Sequence, residues 1–270
     1  MKGLSRVMEV DIDTPYGPPS DTILIGELSG VSVAFLPRHG RGHRISPTEL
    51  PVQANIYALK ALGVERIISV SAVGSLKEEV RPLDLVVPNQ LIDRTRQRTS
   101  TFFGDGLVAH ISFADPLCPD LSATLADTAA KAGAVVHHGG TYVVMEGPAL
   151  STRAESFLYR SWGASVIGMT ALPEAKLARE AEMCYAILAC ATDYDCWHET
   201  EEAVSVEMVV ANLSKNVATS EEIIRRLLPR LSPERRCACP SALKNAIITA
   251  RDAIPKDTKK RLAPLIGKYL

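Results

Sequence analysis

The sequence has almost no net charge and no long hydrophobic run. Lys and Arg together number 30, and Asp and Glu number 31, which leaves a formal charge of −1 at pH 7. Proteins that bind nucleic acids or membrane surfaces normally carry a basic excess, so neither role is expected. No apolar segment has the length of a transmembrane helix, and Met1-Lys2-Gly3-Leu4 does not begin a signal peptide. These absences predict a cytoplasmic protein.

Repeats, low-complexity segments and a clear domain boundary are also lacking. The 270 residues are long enough to bury a large core, and a hydrophobic content of 46% is ordinary for a globular protein. Short strands are predicted within 7–13 and 22–36, a helix over 51–63 and a strand over 66–73. Helix followed by strand is typical of parallel α/β proteins, and one domain is the simplest account.

The pattern of the six cysteines does not predict a metal site. Cys184 and Cys190 lie in an apolar run and are expected to be buried thiols. Cys237 and Cys239 form a Cys-Ala-Cys pair, which alone supplies too few ligands for zinc. Two free thiols are expected in a reducing compartment, with a disulfide between them as the alternative. No metal is therefore predicted.

The most informative stretch is Thr192-Asp-Tyr-Asp-Cys-Trp197, which follows an apolar run predicted to be a buried strand. Asp193 and Asp195 are two residues apart, and on extended backbone that spacing places both carboxylates on one face. Ligands of α/β proteins bind at the carboxyl ends of strands, so the pair indicates a binding site. A solvated turn is the alternative, because Asp is common in turns.

Basic and small residues follow two other predicted strands. The segment 36–44 places Arg38 and His39 among glycines, and Arg and His side chains suit a small anion. A solvated basic loop is the alternative. The strand over 66–73 ends in Gly74-Ser75, whose backbone N–H groups also suit an anion. The Arg- and Thr-rich segment 94–103 is predicted to be a polar loop.

Taken together, these segments resemble the 5′-methylthioadenosine phosphorylases, within the trimeric purine nucleoside phosphorylase family. The resemblance runs from about Thr14 to Pro229. The matching motifs are Thr14-Pro-Tyr-Gly-Pro-Pro-Ser-Asp21, Pro37-Arg-His-Gly-Arg-Gly-His43, Ala54-Asn-Ile-Tyr-Ala-Leu-Lys60, Ala72-Val-Gly-Ser75, Glu146-Gly-Pro148, Ser151-Thr-Arg-Ala-Glu-Ser156, Met169-Thr170 and Thr192-Asp-Tyr-Asp-Cys-Trp197.

The resemblance implies an α/β fold with a mixed, twisted β-sheet flanked by helices. It implies a single nucleoside phosphorylase domain over residues 1–236 and a helical C-terminal tail over 237–270. It also implies a homotrimer or a dimer of trimers, because His110 matches a histidine that reaches a neighbouring subunit's site. Phosphate is implied as a co-substrate, and no cofactor.

The reaction implied is phosphate-dependent cleavage of S-methyl-5′-thioadenosine to adenine and 5-methylthioribose 1-phosphate. Asp193 matches the residue that shares a proton with purine N7, and Asp195 matches the acceptor of the 6-amino group. Met169 would pack under the ribose, and Ser151 and Val206 match positions around the base and the methylthio group. The residues matched to phosphate are Arg38, expected to bind as a two-pronged fork, with His39, Ser71, Ala72 and Thr170.

The two carboxylates favour an amino purine, because a 6-oxopurine would turn an oxygen toward a carboxylate. Family members that use 6-oxopurines tend to have Asn at the first of these positions. One alternative is a phosphorylase for adenosine, methylthioinosine, inosine or guanosine, which relative rates would reveal. Another is a catalytically impaired homologue that binds nucleoside without turnover.

The sequence departs from the family at two places. Members begin with a strand and a Gly-Gly-(Ser/Thr)-Gly phosphate loop, and neither precedes Met1-Lys2-Gly3-Leu4. The expectation is a translation start further upstream or weak phosphate binding, with strand edges left unpaired. At Ala149-Leu150 relatives carry Arg-Phe, so a stacking surface for adenine is lost. The histidines matched to no site position, expected to be surface or structural, are His43, His137, His138 and His198.

Overall fold

The computed structural model describes residues 3–198 and 206–270, apart from the side chains of Val206 and Met208. The strands are β1 (Ser5–Val10), β2 (Ile23–Leu28), β3 (Val31–Phe35), β4 (Arg66–Ser75), β5 (Leu85–Val87), β6 (Gln90–Arg94), β7 (Val136–His138), β8 (Thr141–Met145), β9 (Val166–Gly168) and β10 (Cys184–Asp193). The helices are α1 (Val52–Ala61), α2 (Pro119–Lys131), α3 (Arg153–Ser161), α4 (Ala171–Glu180), α5 (Val206–Leu227), α6 (Lys256–Arg261) and α7 (Ala263–Ile266). Among these described helices, none is long and apolar enough to cross a membrane.

The larger of the two sheets is mixed and has seven strands in the order β6-β8-β9-β4-β10-β5-β7. The central strands β4 and β10 are parallel, and β10 pairs with β5 in the antiparallel direction. Strand β9 meets β4 antiparallel, and only at Gly74 and Ser75. Strands β1, β2 and β3 form a separate antiparallel sheet. The predicted mixed α/β fold is confirmed, and so are the short strands predicted near the start of the chain.

Strand β10 lies at the centre of the core, and every one of its residues is buried. Its alternate residues from Tyr185 to Ala191 pack in one cluster with α4. The others, from Cys184 to Cys190, pack in a second cluster with α2 and α5. Because both faces of the sheet are covered, the strand is a continuous apolar run, and polar side chains occur where it ends.

The C-terminal tail packs on the domain but is helical only in part. Residues 242–253 form turns and an isolated bridge between Ala109 and Ile247, and regular helix begins at α6. Backbone groups in this part bond to a neighbouring loop, for example Ile248 N to Val108 O at 3.0 Å, instead of to a helical turn. The prediction of a helical tail is therefore wrong for its first half. The domain boundary at 236 stays a prediction.

Four cysteines that are far apart in the sequence meet beside the start of β10. Cys118 immediately precedes α2, Cys184 is the first residue of β10, and Cys237 and Cys239 lie at the start of the tail. Their four sulfur atoms all lie within 4.8 Å of one another. The prediction that the cysteines supply too few ligands for a metal ion is therefore wrong. The prediction considered only the two cysteines that are close in the sequence. Packing of α2 and the tail against β10 brings Cys118 and Cys184 to them.

Candidate active site

A cavity of about 680 Å³ opens at the carboxyl ends of β4 and β10. Ligands of α/β proteins commonly bind at such a position. Its wall is formed by the loop after β3, the end of β4, the segments after β8, β9 and β10, and one face of α5. The residues that line it include Arg38, His39, His43, Val70, Ser71, Ala72, Gly74, Leu150, Met169, Thr170, Asp193, Asp195, Val209 and Leu213.

Asp193 enters the cavity because the pairing of β10 with β4 is irregular at its end. Ala191 pairs with Val73 and Asp193 pairs with Gly74, so Thr192 is an extra residue on the β10 side. Such a bulge redirects the side chain that follows it. A Cβ atom at Gly74 would lie 3.0 Å from Asp193 Oδ1 and 3.2 Å from Asp195 Cβ. Glycine at this position therefore provides the space for both carboxylates.

Asp193 is held in a buried, hydrogen-bonded position. The Thr192 hydroxyl donates to Asp193 Oδ2 at 2.7 Å, and the Asp195 backbone N–H donates to Oδ1 at 2.8 Å. Only 6% of the residue is exposed. Burial raises the pKa of the Asp193 carboxyl, and these two hydrogen bonds only partly oppose it. The carboxyl consequently holds a proton more readily than an ordinary Asp.

Asp195 reaches the same cavity from a turn. Its φ angle is +52°, in the left-handed region, so the backbone is not extended there. The expectation that an extended strand aligns the two carboxylates is therefore wrong in its reason, although both do line one cavity. Burial raises the pKa of Asp195, with the Ser156 and Ser151 hydroxyls acting in the opposite direction. Asp195 therefore lies both in a turn and in the candidate site, which were alternatives when only the sequence was considered.

Arg38 lies at the other end of the cavity in a buried network. One terminal nitrogen donates to both carboxylate oxygens of Glu174 at 3.0 and 3.1 Å. The other donates to Ser69 Oγ at 2.7 Å and to Val70 O at 3.0 Å. The Tyr185 hydroxyl donates to Glu174 at 2.6 Å. Both terminal nitrogens of Arg38 are therefore engaged by protein acceptors, so neither is free for the expected two-pronged fork onto phosphate. That Arg38 binds phosphate stays a prediction.

His39 and His43 form a stacked pair, with ring centroids 4.3 Å apart and planes 14° from parallel. His39 Nδ1 lies 2.8 Å from Ile45 O, so Nδ1 carries a hydrogen and Nε2 is the remaining ring nitrogen. Burial lowers the pKa of His39, and His43 and Arg38 lower it further. His43 is exposed, as predicted for a surface or structural histidine, and the turn at 40–43 brings its ring to the cavity wall.

The edge of β4 offers further polar groups beside Arg38. Strand β9 covers β4 only at Gly74 and Ser75, so the preceding segment Val70–Val73, which pairs with β10 on one side, faces the cavity on its other side. The Ser71 hydroxyl is buried and has no hydrogen-bond partner among the described residues. Thr170 precedes α4 without capping it through its side chain. These groups suit a small anion bound between the two strands.

Met169 and Leu150 supply apolar wall near the middle of the cavity. A Cβ atom at Gly147 would lie 2.4 Å from Met169 Sδ, and the φ angle of Gly147 is +69°. Glycine in the Glu146-Gly-Pro148 motif therefore lets the turn pass directly over the methionine. Leu150 is 50% exposed at the position where an aromatic ring is expected in relatives.

Three of the predicted site residues lie outside this lining. Ser151 is half-buried at the mouth, where its carbonyl accepts from the Cys196 thiol at 3.3 Å. His110 is exposed, and its backbone N–H donates to Ala246 O at 2.9 Å. Val206 begins α5, but its side chain is outside the described residues. The structure thus brings Asp193 and Asp195 into one cavity with the residues predicted to bind phosphate and leaves His110 apart.

Arg98 organises the site but was not singled out from the sequence. Its side chain is only 3% exposed and donates to Glu146 Oε1 at 2.9 Å, to Leu172 O at 2.8 Å and to Met169 O. It therefore ties the end of β8 to the segment that carries Met169 and Thr170. No local signal distinguishes it, because an arginine in a segment rich in Arg and Thr looks like part of a solvated loop.

The whole chain is similar to known phosphorylases. Residues 2–229 match the family model described as the phosphorylase superfamily. The S-methyl-5′-thioadenosine phosphorylase of Geobacter sulfurreducens is 59% identical, with 100% of this chain and 95% of the relative covered. The enzyme of the same name from Koribacter versatilis is 57% identical, covering 100% of this chain and 92% of the relative.

Solved structures of methylthioadenosine phosphorylases are also similar to this chain. A methylthioadenosine phosphorylase from an Antarctic soil metagenomic library has a TM-score of 0.94 and is 52% identical, covering 98% of this chain and 94% of that one. Methylthioadenosine phosphorylase from Schistosoma mansoni, in complex with adenine, has a TM-score of 0.83 and is 36% identical, covering 87% of this chain and 88% of that one. This chain therefore belongs to the phosphorylase superfamily and, within it, to the family of S-methyl-5′-thioadenosine phosphorylases.

Proposed function

We propose that this chain cleaves the N-glycosidic bond of S-methyl-5′-thioadenosine with inorganic phosphate, releasing adenine and 5-methylthioribose 1-phosphate. The observation that carries the proposal is one cavity with the buried Asp193 and the half-buried Asp195, both carboxyls of raised pKa, at one end and cationic and hydroxyl groups at the other. Arg38 donates a hydrogen bond to Val70 O, and Asp193 pairs with Gly74. Val70 and Gly74 are four residues apart on β4, which is about 13 Å along an extended strand. A purine nucleoside with phosphate beneath C1′ has a comparable length.

The carboxyl end suits the departing base. As the glycosidic bond breaks, negative charge develops on the purine and positive charge on the ribose. A protonated Asp193 can share its proton with purine N7 and so stabilise the leaving group. Asp195, two residues along the chain, would accept a hydrogen bond from the 6-amino group. The Asp195 backbone N–H, which donates to Asp193, keeps the two carboxyls at a fixed spacing.

The basic end suits phosphate. We assign phosphate to His39, Thr170, the Ser71 hydroxyl and the Ala72 backbone, with Arg38 adding charge from behind the strand edge. Phosphate held there attacks C1′ and also stabilises the ribose cation. Met169 would pack under the ribose. On α5, the side chains of Val209 and Leu213 line the cavity and offer an apolar surface for the methylthio group.

Replacing Asp195 with Asn should relax the preference for 6-amino purines. The amide can donate to a 6-oxo group, whereas the carboxylate only accepts, so repulsion of the 6-oxo substrate is removed. The ratio of kcat/KM for methylthioadenosine to that for methylthioinosine should fall by about tenfold or more. An unchanged ratio in the Asn variant, with both nucleosides still turned over, would contradict the role given to Asp195.

Phosphate binding should weaken as pH rises. His39 is neutral near pH 7 because its pKa is lowered, and Nδ1–H is committed to Ile45 O, so Nε2 can donate to a phosphate dianion only after taking up a proton. The KM for phosphate, corrected for the ionisation of phosphate itself, should rise by up to about tenfold per pH unit between about pH 6 and pH 8. A His39→Gln variant should show a raised KM that is flat with pH. A flat wild-type profile would remove His39 from phosphate binding.

The proposal extends to a homotrimer. His110 is exposed and lies outside the cavity lining of its own chain, while its backbone is fixed by the tail through Ala246. A histidine so placed can contribute to a site only across a subunit interface. Native mass spectrometry at working concentration would establish the number of subunits, and a monomer with full activity would exclude this role.

Adenine release from methylthioadenosine, with and without phosphate, is the direct test of the proposed reaction. Phosphate-dependent release with a stoichiometric sugar phosphate would support it. Faster turnover of adenosine or inosine would favour a phosphorylase of other specificity. Tight nucleoside binding without release would instead identify a catalytically impaired homologue.

A further inference from the structure

The four-cysteine cluster is separate from the active cavity, and none of its residues lines that cavity. Cys184 Sγ and Cys237 Sγ are 3.4 Å apart, and all pairs are within 4.8 Å. Four thiolates around a tetrahedral zinc ion, each bonded at about 2.3 Å, have sulfur–sulfur separations of about 3.8 Å. A disulfide requires a sulfur–sulfur distance of about 2.05 Å. The arrangement therefore has the size of a tetrathiolate site.

We propose that Cys118, Cys184, Cys237 and Cys239 bind one zinc ion in a closed structural site. Four soft sulfur ligands favour zinc over hard, oxygen-preferring cations such as magnesium or calcium. All four coordination positions are taken by protein, which leaves none for substrate or water. The ion would therefore act on folding and stability and would take no part in phosphorolysis.

The cysteines are carried by elements whose backbones are already fixed. Cys118 N–H donates to Tyr185 O at 2.9 Å, and Cys184 N–H donates to Glu65 O at 2.9 Å. Cys239 opens a short 3-10 helix. Cys118, Cys184 and Cys239 are buried among apolar residues of the cluster formed by β10, α2 and α5, and Cys237 packs against it. A site built this way is pre-organised and shielded from water.

The proposed zinc site would join the tail to the centre of the sheet. Just beyond it, Leu243 N–H donates to the buried Glu182 carboxylate at 3.0 Å, and the Tyr269 hydroxyl donates to the same oxygen. The following residues of the tail complete the core beneath α1 and α4. They also supply Ala246 O, which holds the backbone of His110. The metal would thus fix the start of the tail at the point where it leaves the main body.

Metal content of the purified full-length chain tests the inference. Protein prepared under reducing conditions, without added metal, should contain about one zinc per chain by elemental analysis. Cys237→Ser combined with Cys239→Ser should lower this at least about tenfold, because two thiolates bind zinc far more weakly than four. Cys190→Ser is the matched control: it lies in the same strand, its sulfur contacts Ser220 Oγ at 3.6 Å, and its variant should keep the zinc.

A second measurement does not depend on folding of the variants. Wild-type protein loaded with cobalt should show the absorption bands of tetrahedral thiolate-bound cobalt, and its four cluster cysteines should resist alkylation until the metal is removed. Less than about one-tenth of a metal ion per chain, with no such bands, would overturn the inference. Peptide mapping that finds the four cysteines joined as disulfides would overturn it as well.

Discussion

Replacing Asp193 with Asn should lower turnover of methylthioadenosine by about 10²- to 10⁴-fold, the usual contribution of a general acid, while the protein stays folded. The amide fits the same contacts. Its oxygen can accept from the Asp195 N–H, and its nitrogen can donate to the Thr192 hydroxyl. That hydroxyl already lies 3.3 Å from Val73 O and can donate there instead. The variant therefore lacks the carboxyl proton of Asp193 but keeps the hydrogen bonds that hold the side chain in place.

The same variant should be at least as stable as the wild type at neutral pH. Burial raises the pKa of Asp193 in the folded protein. Between the unfolded pKa of about 3.9 and the raised folded value, the folded state binds more protons than the unfolded chain. Wild-type stability therefore falls as pH rises through that interval, whereas the Asn variant has no such group to titrate.

Steady-state rates and melting temperatures over a pH series would check both expectations. Asp252→Asn, an exposed carboxylate on the tail, is the matched control and should change neither quantity. Wild-type kcat should decline as pH rises through the pKa of Asp193, and the Asn variant should lack that decline. Undiminished turnover in the Asn variant would remove the acid role. A large drop in its melting temperature would mean that the loss of rate reflects damage to the fold.

Replacing Arg98 with Ala should lower the free energy of unfolding by about 3 kcal/mol, near the lower end for breaking a buried ion pair. Burial alone would raise the pKa of the Glu146 carboxyl, but hydrogen bonds from several donors, Arg98 among them, lower it to about 2. Without Arg98 this carboxylate loses its ion-pair partner. The carbonyls of Met169 and Leu172 lose their donor as well.

Denaturant unfolding would measure the loss, with Arg6→Ala as the control. Arg6 also forms an ion pair, with Glu27 at 3.1 Å, but its side chain is 83% exposed, so its removal should leave the free energy of unfolding close to that of the wild type. Arg98→Ala should also raise the KM for phosphate, because Thr170 loses its anchored neighbour. Equal stability of the Arg98 and Arg6 variants would show that the buried network contributes nothing.

The parts of the site that could be predicted from sequence are those whose determinants are adjacent in the chain. The apolar run of β10 ends directly at Asp193, so strand and site are read from one short segment. The pairing of Arg38 with Glu174 could not be predicted, because it depends on how β3 and α4 pack around β4. From the sequence alone, Arg38 is therefore expected to have both terminal nitrogens free to bind phosphate. The stacking of His43 on His39 could not be predicted for the same reason, since a turn that contains two glycines decides which way His43 faces.

Arg98 and the cysteine cluster show the same limit more strongly. The acceptors of Arg98 are residues 146, 169 and 172, all more than forty positions away. The cluster takes its members from α2, β10 and the tail. Neither the acceptors of Arg98 nor the four cysteines follow a regular spacing in the sequence. Only the tertiary structure shows that they are close together. The family resemblance assigns roles to positions that match a known motif. It assigns none to residues such as Arg98, whose contacts are with residues far away in the sequence.

The space that Gly74 leaves has a consequence for mutational tolerance. Gly74 donates no group to the reaction, yet any Cβ there would lie 3.0 Å from Asp193 Oδ1 and 3.2 Å from Ile167 Cγ2. Both neighbours would have to shift by a few tenths of an ångström, and transfer of a proton to a base is sensitive to misplacement on that scale. In a library of random variants selected for growth on methylthioadenosine, position 74 should therefore be nearly as invariant as Asp193.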